Sequence, residues 1–141
     1  MNIYFQKNDI DTVIREKKRI RKWIKAVIRN EGKQSDTINI ILTGNKEIKA
    51  LNRKYLKRNY LTDIIAFNYN RENIIAGDLY ICTETIRDNA KELRVSFSAE
   101  LKRVIIHGVL HLIGYNDKYE KEKKEIRERE DFYLKLFNDI T

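Results

Sequence analysis

The sequence has no proline, one cysteine, five glycines and two histidines. Without proline, a Gly/Ser-rich stretch or a low-complexity tract, nothing in its 141 residues marks a linker between units. A chain of that length can bury one core unaided, so a single domain over 1–141 is expected. The lone Cys82 excludes an internal disulfide and fits a reducing, cytoplasmic compartment. Within "GDLYIC" it reads as a small buried strand residue. No apolar run approaches the ~18 residues that cross a bilayer, and no signal-peptide pattern opens the chain, so no membrane partner is expected. Acidic residues are short as well: 21 Asp and Glu face 29 Lys and Arg, a net charge of +8. A field of that sign draws polyanions, of which nucleic acid is the commonest in a cytoplasm. With 42% hydrophobic residues and charges of both signs, the composition is globular rather than disordered.

Periodicity supplies the elements. Residues 2–5 ("NIYF") are rich in β-formers. The stretch 11–32 carries Val13, Ile20, Trp23, Ile24, Val27 and Ile28 at helical spacing and stops at Gly32. A buried strand is predicted over 36–44, then a helix over 45–58 with Asn45 as N-cap and Ile48, Leu51 and Tyr55 on its inner side. Two more strands, 61–70 and 76–83, flank a short polar turn. Helical patterns follow, one capped by Thr83 or Thr85, the next by Ser96 or Ser98. A last, highly charged helix from Tyr119 to Phe137 keeps a narrow seam of Tyr119, Ile126, Tyr133 and Phe137. The expected fold class is α+β: a small mixed sheet of about four strands packed with helices, the histidine-bearing helix central.

Both histidines lie in "HGVLHLIGYND", residues 107–117. Four residues apart on a helix, His107 and His111 stand one turn above each other and can aim ring nitrogens at one ion. The segment from Leu101 to Ile113 is otherwise apolar nearly all round, so buried imidazoles there need partners. Gly114 suits a left-handed helix end and Asn116 tolerates a turn, so Asp117 can swing back toward the pair. Three protein ligands with an open fourth position is how catalytic zinc is held. The competing reading is a hydrogen-bonded core pair without metal.

The stretch "HGVLHLIGYND" resembles the signature H-G-x-L-H-L-x-G-Y-D-H of the YbeY family, metal-dependent endoribonucleases of ribosomal RNA maturation. "LNRKYLKRNYLTDIIAFNY" (51–69) is similar to the family's L-N-x-x-Y-R-x-x-x-x-P-T-D-V-L-S-F-P block, and "GDLYIC" (77–82) to its G-D-I-x-I-C strand. The resemblance implies one divalent ion, zinc or another metal, held by His107, His111 and Asp117, and single-stranded RNA as substrate. It also implies ribosomal RNA, and a ribosome or its assembly proteins, as partners. Two positions depart from the pattern. Asp117 stands where the family has its third histidine; carboxylate oxygen is an acceptable ligand, but its charge should make a bound water less acidic. Leu56 stands where the family carries an arginine, leaving Arg53 or Arg58 to supply positive charge near a phosphate.

The same ligand spacing belongs to metzincin proteases, which require a glutamate after the first histidine and a methionine turn. Here that position is Gly108, and the only methionine is Met1. Phosphodiester attack by metal-activated water fits better, with a cation polarising a phosphoryl oxygen. A non-catalytic RNA-binding assembly factor with a structural metal is the other reading. Thr62 and Asp63 are read either as groups that orient a ligand or bind substrate, or as strand-start residues, and Tyr115 either stacks on a base or covers the site's edge.

Overall fold

The structure, a computed structural model, describes residues 2–56 and 62–141, with Leu56 described in its backbone alone. Among the described residues, four strands form one mixed sheet: β1 (Ile3–Lys7), β2 (Gln34–Thr43), β3 (Ile64–Asn68) and β4 (Ile74–Cys82), in the order β1-β2-β4-β3. β1 and β4 flank β2 in parallel, and β3 closes the edge antiparallel to β4. The helices are α1 (Lys17–Asn30), α2 (Asn45–Leu51), α3 (Thr83–Leu93), α4 (Phe97–Ile113) and α5 (Glu120–Phe137). This is the α+β arrangement that the pattern predicts, with one helix among the others: α4 packs on β3, β4, α1, α3 and α5.

Strand alternation divides the core. Ile38, Ile40, Leu42, Ile75, Leu79 and Ile81 point to one face and bury against the apolar sides of α1 and α4. On the other face Ile65 and Cys82 pack with Ile48 of α2 in a smaller cluster, so Cys82 is the buried strand residue expected. Trp23 joins α1 to α5, its indole N–H donating to the Tyr133 carbonyl at 2.7 Å. Gly32 ends α1 at φ +77°, and the paired bonds from Gly32 N to Arg29 O and from Lys33 N to Ile28 O form a Schellman closure.

Several boundaries differ from the sequence expectation. The first helix begins at Lys17, because Glu16 sits in the left-handed region at φ 61°, paired with Lys102 and Arg19 at 3.3 Å each. Val13 therefore lies outside the helix and is 68% exposed. The second helix leaves α geometry at Asn52 and continues as a π-turn, Asn52–Leu56, with Asn52 buried and Tyr55 exposed; residues 57 and 58 of the expected helix, and 61 of the expected strand, lie outside the described residues. Asn45 is not the cap. Gly44 precedes the helix, and the carboxylate of Glu84 on α3 accepts from Asn45 N at 2.9 Å and from its Nδ2 at 3.1 Å, capping α2 from outside. Neither Thr83 nor Thr85 caps α3; the Thr83 hydroxyl donates instead to the Thr43 carbonyl at 3.2 Å. Ser96 caps α4 as predicted, accepting from Ala99 N at 3.0 Å. Tyr119 precedes α5 and is exposed, outside the seam that Ile126, Tyr133 and Phe137 form.

Candidate metal centre

The site is built where α4 ends. Gly114 takes φ +128°, and bonds from Gly114 N to His111 O and from Tyr115 N to Leu110 O reverse the chain. Asn70, in the β3–β4 turn, donates from Nδ2 to the Leu112 carbonyl at 2.6 Å and so pins this helix end to the sheet edge. Two glycines bring helix and sheet together. A Cβ on Gly77 would strike the Phe67 carbonyl and lie 2.9 Å from Leu112 Cδ2, and one on Gly108 would lie 2.5 Å from Ile64 Cδ1 and 3.0 Å from Leu79 Cδ2. Gly108 thus lets α4 seat closely on β3 and β4, and a side chain there would have to displace the ends of Ile64 and Leu79.

The reversal delivers Asp117 to the histidines. Nε2 of His107 and Nε2 of His111 are 3.0 Å apart, and Asp117 Oδ2 lies 3.3 Å from each. The three half-buried side chains converge at the floor of an open cleft of about 370 Å³, with Thr62, Asp63 and Gly108 in its walls. His107 is further fixed from behind: its Nδ1–H donates to Glu130 Oε2 at 2.6 Å, and the other oxygen of Glu130 accepts from Arg103 at 3.1 Å. Glu130 is 6% exposed. Burial opposes charge on His107, but the hydrogen bond and charge of Glu130, with Asp117 and Asp63, outweigh it and hold the imidazole above its ordinary range. Burial likewise lifts the carboxyl of Asp63, against the pull of His107.

Of the residues singled out from sequence, His107, His111 and Asp117 are brought together. Arg53 lies exposed on the π-turn after α2 and is absent from the walls of this cleft; Arg58 lies outside the described residues. Tyr115 turns toward α1, where its hydroxyl donates to Glu31 Oε1 at 2.8 Å, anchoring the turn. Glu130 and Arg103 join the centre with no motif in the sequence to mark them. The signal for Glu130 is its position: it occupies the inner seam of α5 between Ile126 and Tyr133, where an acid needs a partner.

Fold and cluster together define a small α+β protein with a candidate metal centre of two histidines and a carboxylate. The family model described as Endoribonuclease YbeY matches residues 2–138, and the chain belongs to the YbeY family. It is 42% identical over 130 residues to the Endoribonuclease YbeY of Flavobacterium psychrophilum, covering 92% of this chain and 93% of that one. The Endoribonuclease YbeY of Parabacteroides distasonis is 41% identical over 136 residues, 96% of each chain. A solution structure of a Thermotoga maritima protein superposes with TM-score 0.68 at 27% identity, over 96% of this chain and 88% of that one.

Proposed function

We propose that the protein, working as one domain over 1–141, is a metal-dependent endoribonuclease that cuts single-stranded RNA in ribosomal RNA maturation, in the cytoplasm and in contact with ribosomal particles. The observation that carries this reading is the convergence of three donor atoms at separations of 3.0, 3.3 and 3.3 Å. A tetrahedral ion with bonds of about 2.0–2.1 Å spaces its donors by about 3.3 Å, so the set fits zinc. Such an ion, when bound, supplies Lewis acidity to a phosphoryl oxygen and lowers the pKa of water.

The chain's own groups do the rest. His107, His111 and Asp117 hold the ion, and Glu130 keeps the proton of His107 on Nδ1 so that the Nε2 lone pair faces the cleft. Arg103 holds Glu130 in turn. Asp63, its carboxyl lifted by burial, stands in the wall of the same cleft and can exchange a proton with water there. Arg53 and Arg58, which flank the leucine at the family's arginine position, are proposed to bring positive charge to an RNA phosphate. The test is cleavage of a single-stranded oligoribonucleotide with and without zinc. Cleavage should require the ion and disappear in His111→Ala. Equal cleavage by that variant would sink the reading, and binding without cleavage in the zinc-loaded protein would return it to an RNA-binding assembly factor.

A further inference from the structure

On the α5 side of His107 and Asp117 a second cavity of about 390 Å³ opens beside the cleft. Lys123 and Arg127 stand on its rim, one helical turn apart on α5, and Arg103 lies deeper. The acids of this cavity are already engaged or withdrawn. Glu130 is bound by His107 and Arg103, Glu100 is 5% exposed, Asp63 is half-buried, and Asp117 turns its Oδ2 to both histidines at 3.3 Å. Arg103 is itself committed to Glu130 and Asp131. Among the described residues no ion pair takes up Arg127, while Lys123 keeps a loose pair with Glu120 at 3.7 Å, both side chains largely exposed. Lys123 and Arg127 are therefore exposed cations at the cavity's edge, beside the proposed ligands.

We infer that Lys123 and Arg127 form a phosphate-binding rim that holds the backbone of single-stranded RNA as it enters the metal cleft from the α5 side. The inference rests on the nuclease reading of the cleft for its direction, but not for its test. Two cations about 5–6 Å apart along a helix face can take neighbouring phosphates of a flexible strand. Each phosphate that a cation neutralises on a single strand adds a slope of about 0.7 in log affinity against log salt, worth about fivefold one decade below molar salt. Removing both cations should weaken binding about 25-fold at about 0.1 M salt and lower the slope by about 1.4.

The measurement is anisotropy of a 5′-labelled oligouridine across a salt series, with chelator present so that nothing is cut. K123A/R127A should show both changes, and K123R/R127K should keep wild-type binding. K121A/K124A removes the same charge from exposed positions of the same helix outside the cavity, and should change affinity less than about threefold. Equal losses in the two alanine doubles would mean a diffuse field, and no loss in K123A/R127A would mean that RNA does not cross this edge; either overturns the inference. If the purified protein binds no metal while K123A/R127A still shows the specific loss, the nuclease reading fails and the rim stands.

Discussion

Replacing Glu130 tests the reasoning behind the centre most directly, because this carboxylate touches no proposed ion and acts only through His107. It accepts a 2.6 Å bond from His107 Nδ1 and a 3.1 Å bond from Arg103, and it is 6% exposed. Carboxylates behind ligating histidines fix the ring and raise its basicity, and their loss typically weakens metal binding by about 10- to 100-fold, or about 1.4–2.7 kcal/mol. Glu130→Gln keeps the shape but can offer its carbonyl to only one of two donors, and a neutral acceptor is about half as strong as a charged one. A loss of about tenfold is expected for it, and about 100-fold for Glu130→Ala, where Nδ1–H has no acceptor. The alanine variant should also melt lower without metal, since a buried donor left unsatisfied costs about 1–3 kcal/mol. Asp131→Asn is the control: Asp131 also pairs with Arg103, at 3.2 Å, but its side chain is 57% exposed and does not reach His107. Zinc affinity is read by competition with a chromophoric chelator at fixed pH, and stability by metal-free thermal melts. If Glu130→Ala melts lower yet binds zinc as Asp131→Asn does, Glu130 is a structural acid and the positioning role is wrong.

The two glycines under α4 should rank by what a methyl group would meet. Gly77→Ala faces a backbone carbonyl, that of Phe67, which cannot swing aside, whereas Gly108→Ala faces side-chain ends of Ile64 and Leu79. Urea unfolding should show Gly77→Ala losing about 3 kcal/mol or more and Gly108→Ala about 1 kcal/mol, the two ends of ordinary overpacking costs; the reverse order would refute the argument. Tyr133 supplies a pH dependence. Burial, opposed by Asn30 and reinforced by Glu31, pushes its phenol up to about 12. A pKa raised above the unfolded value of about 10 adds stability that is full below about pH 10 and is lost as pH rises toward 12. Denaturant midpoints should therefore fall over that interval in the wild type, and Tyr133→Phe should remove this part of the fall.

The sheet and the helix order were legible because apolar β-branched runs and helical period are local signals. The apolar, β-branched run 36–44 is a buried strand as expected, with Ile38, Ile40, Ile41 and Leu42 all buried, and Ile20, Trp23, Ile24, Val27 and Ile28 bury one side of α1. The misread features depend on distant partners. Nothing near Val13 tells that Glu16 will pair with Lys102 on α4 and turn the chain left-handed. Nothing near Asn45 tells that its cap arrives on α3, as Glu84.

The centre divides in the same way. Histidine spacing and the helix-ending glycine are local signals, and they bring His107, His111 and Asp117 together. From sequence Gly108 reads as a missing protease base that leaves space beside the ion; what its missing side chain makes room for lies across the interface, in Ile64 and Leu79. Glu130 was hidden for a different reason. It stands in "EKEKKEIRERED", where alternating charges read as a solvated face, yet Ile126, Glu130, Tyr133 and Phe137 repeat at intervals of four, three and four. An acid at a position where the period calls for an apolar side chain must find cations or donors inside the fold, because a carboxylate buried alone costs more than the helix can return. The two donors that it finds are Arg103 and His107, both on α4 and four residues apart. The face of α4 that presents His107 to a metal therefore also binds α5 to it, and packing of the last helix and alignment of the first ligand are one interaction.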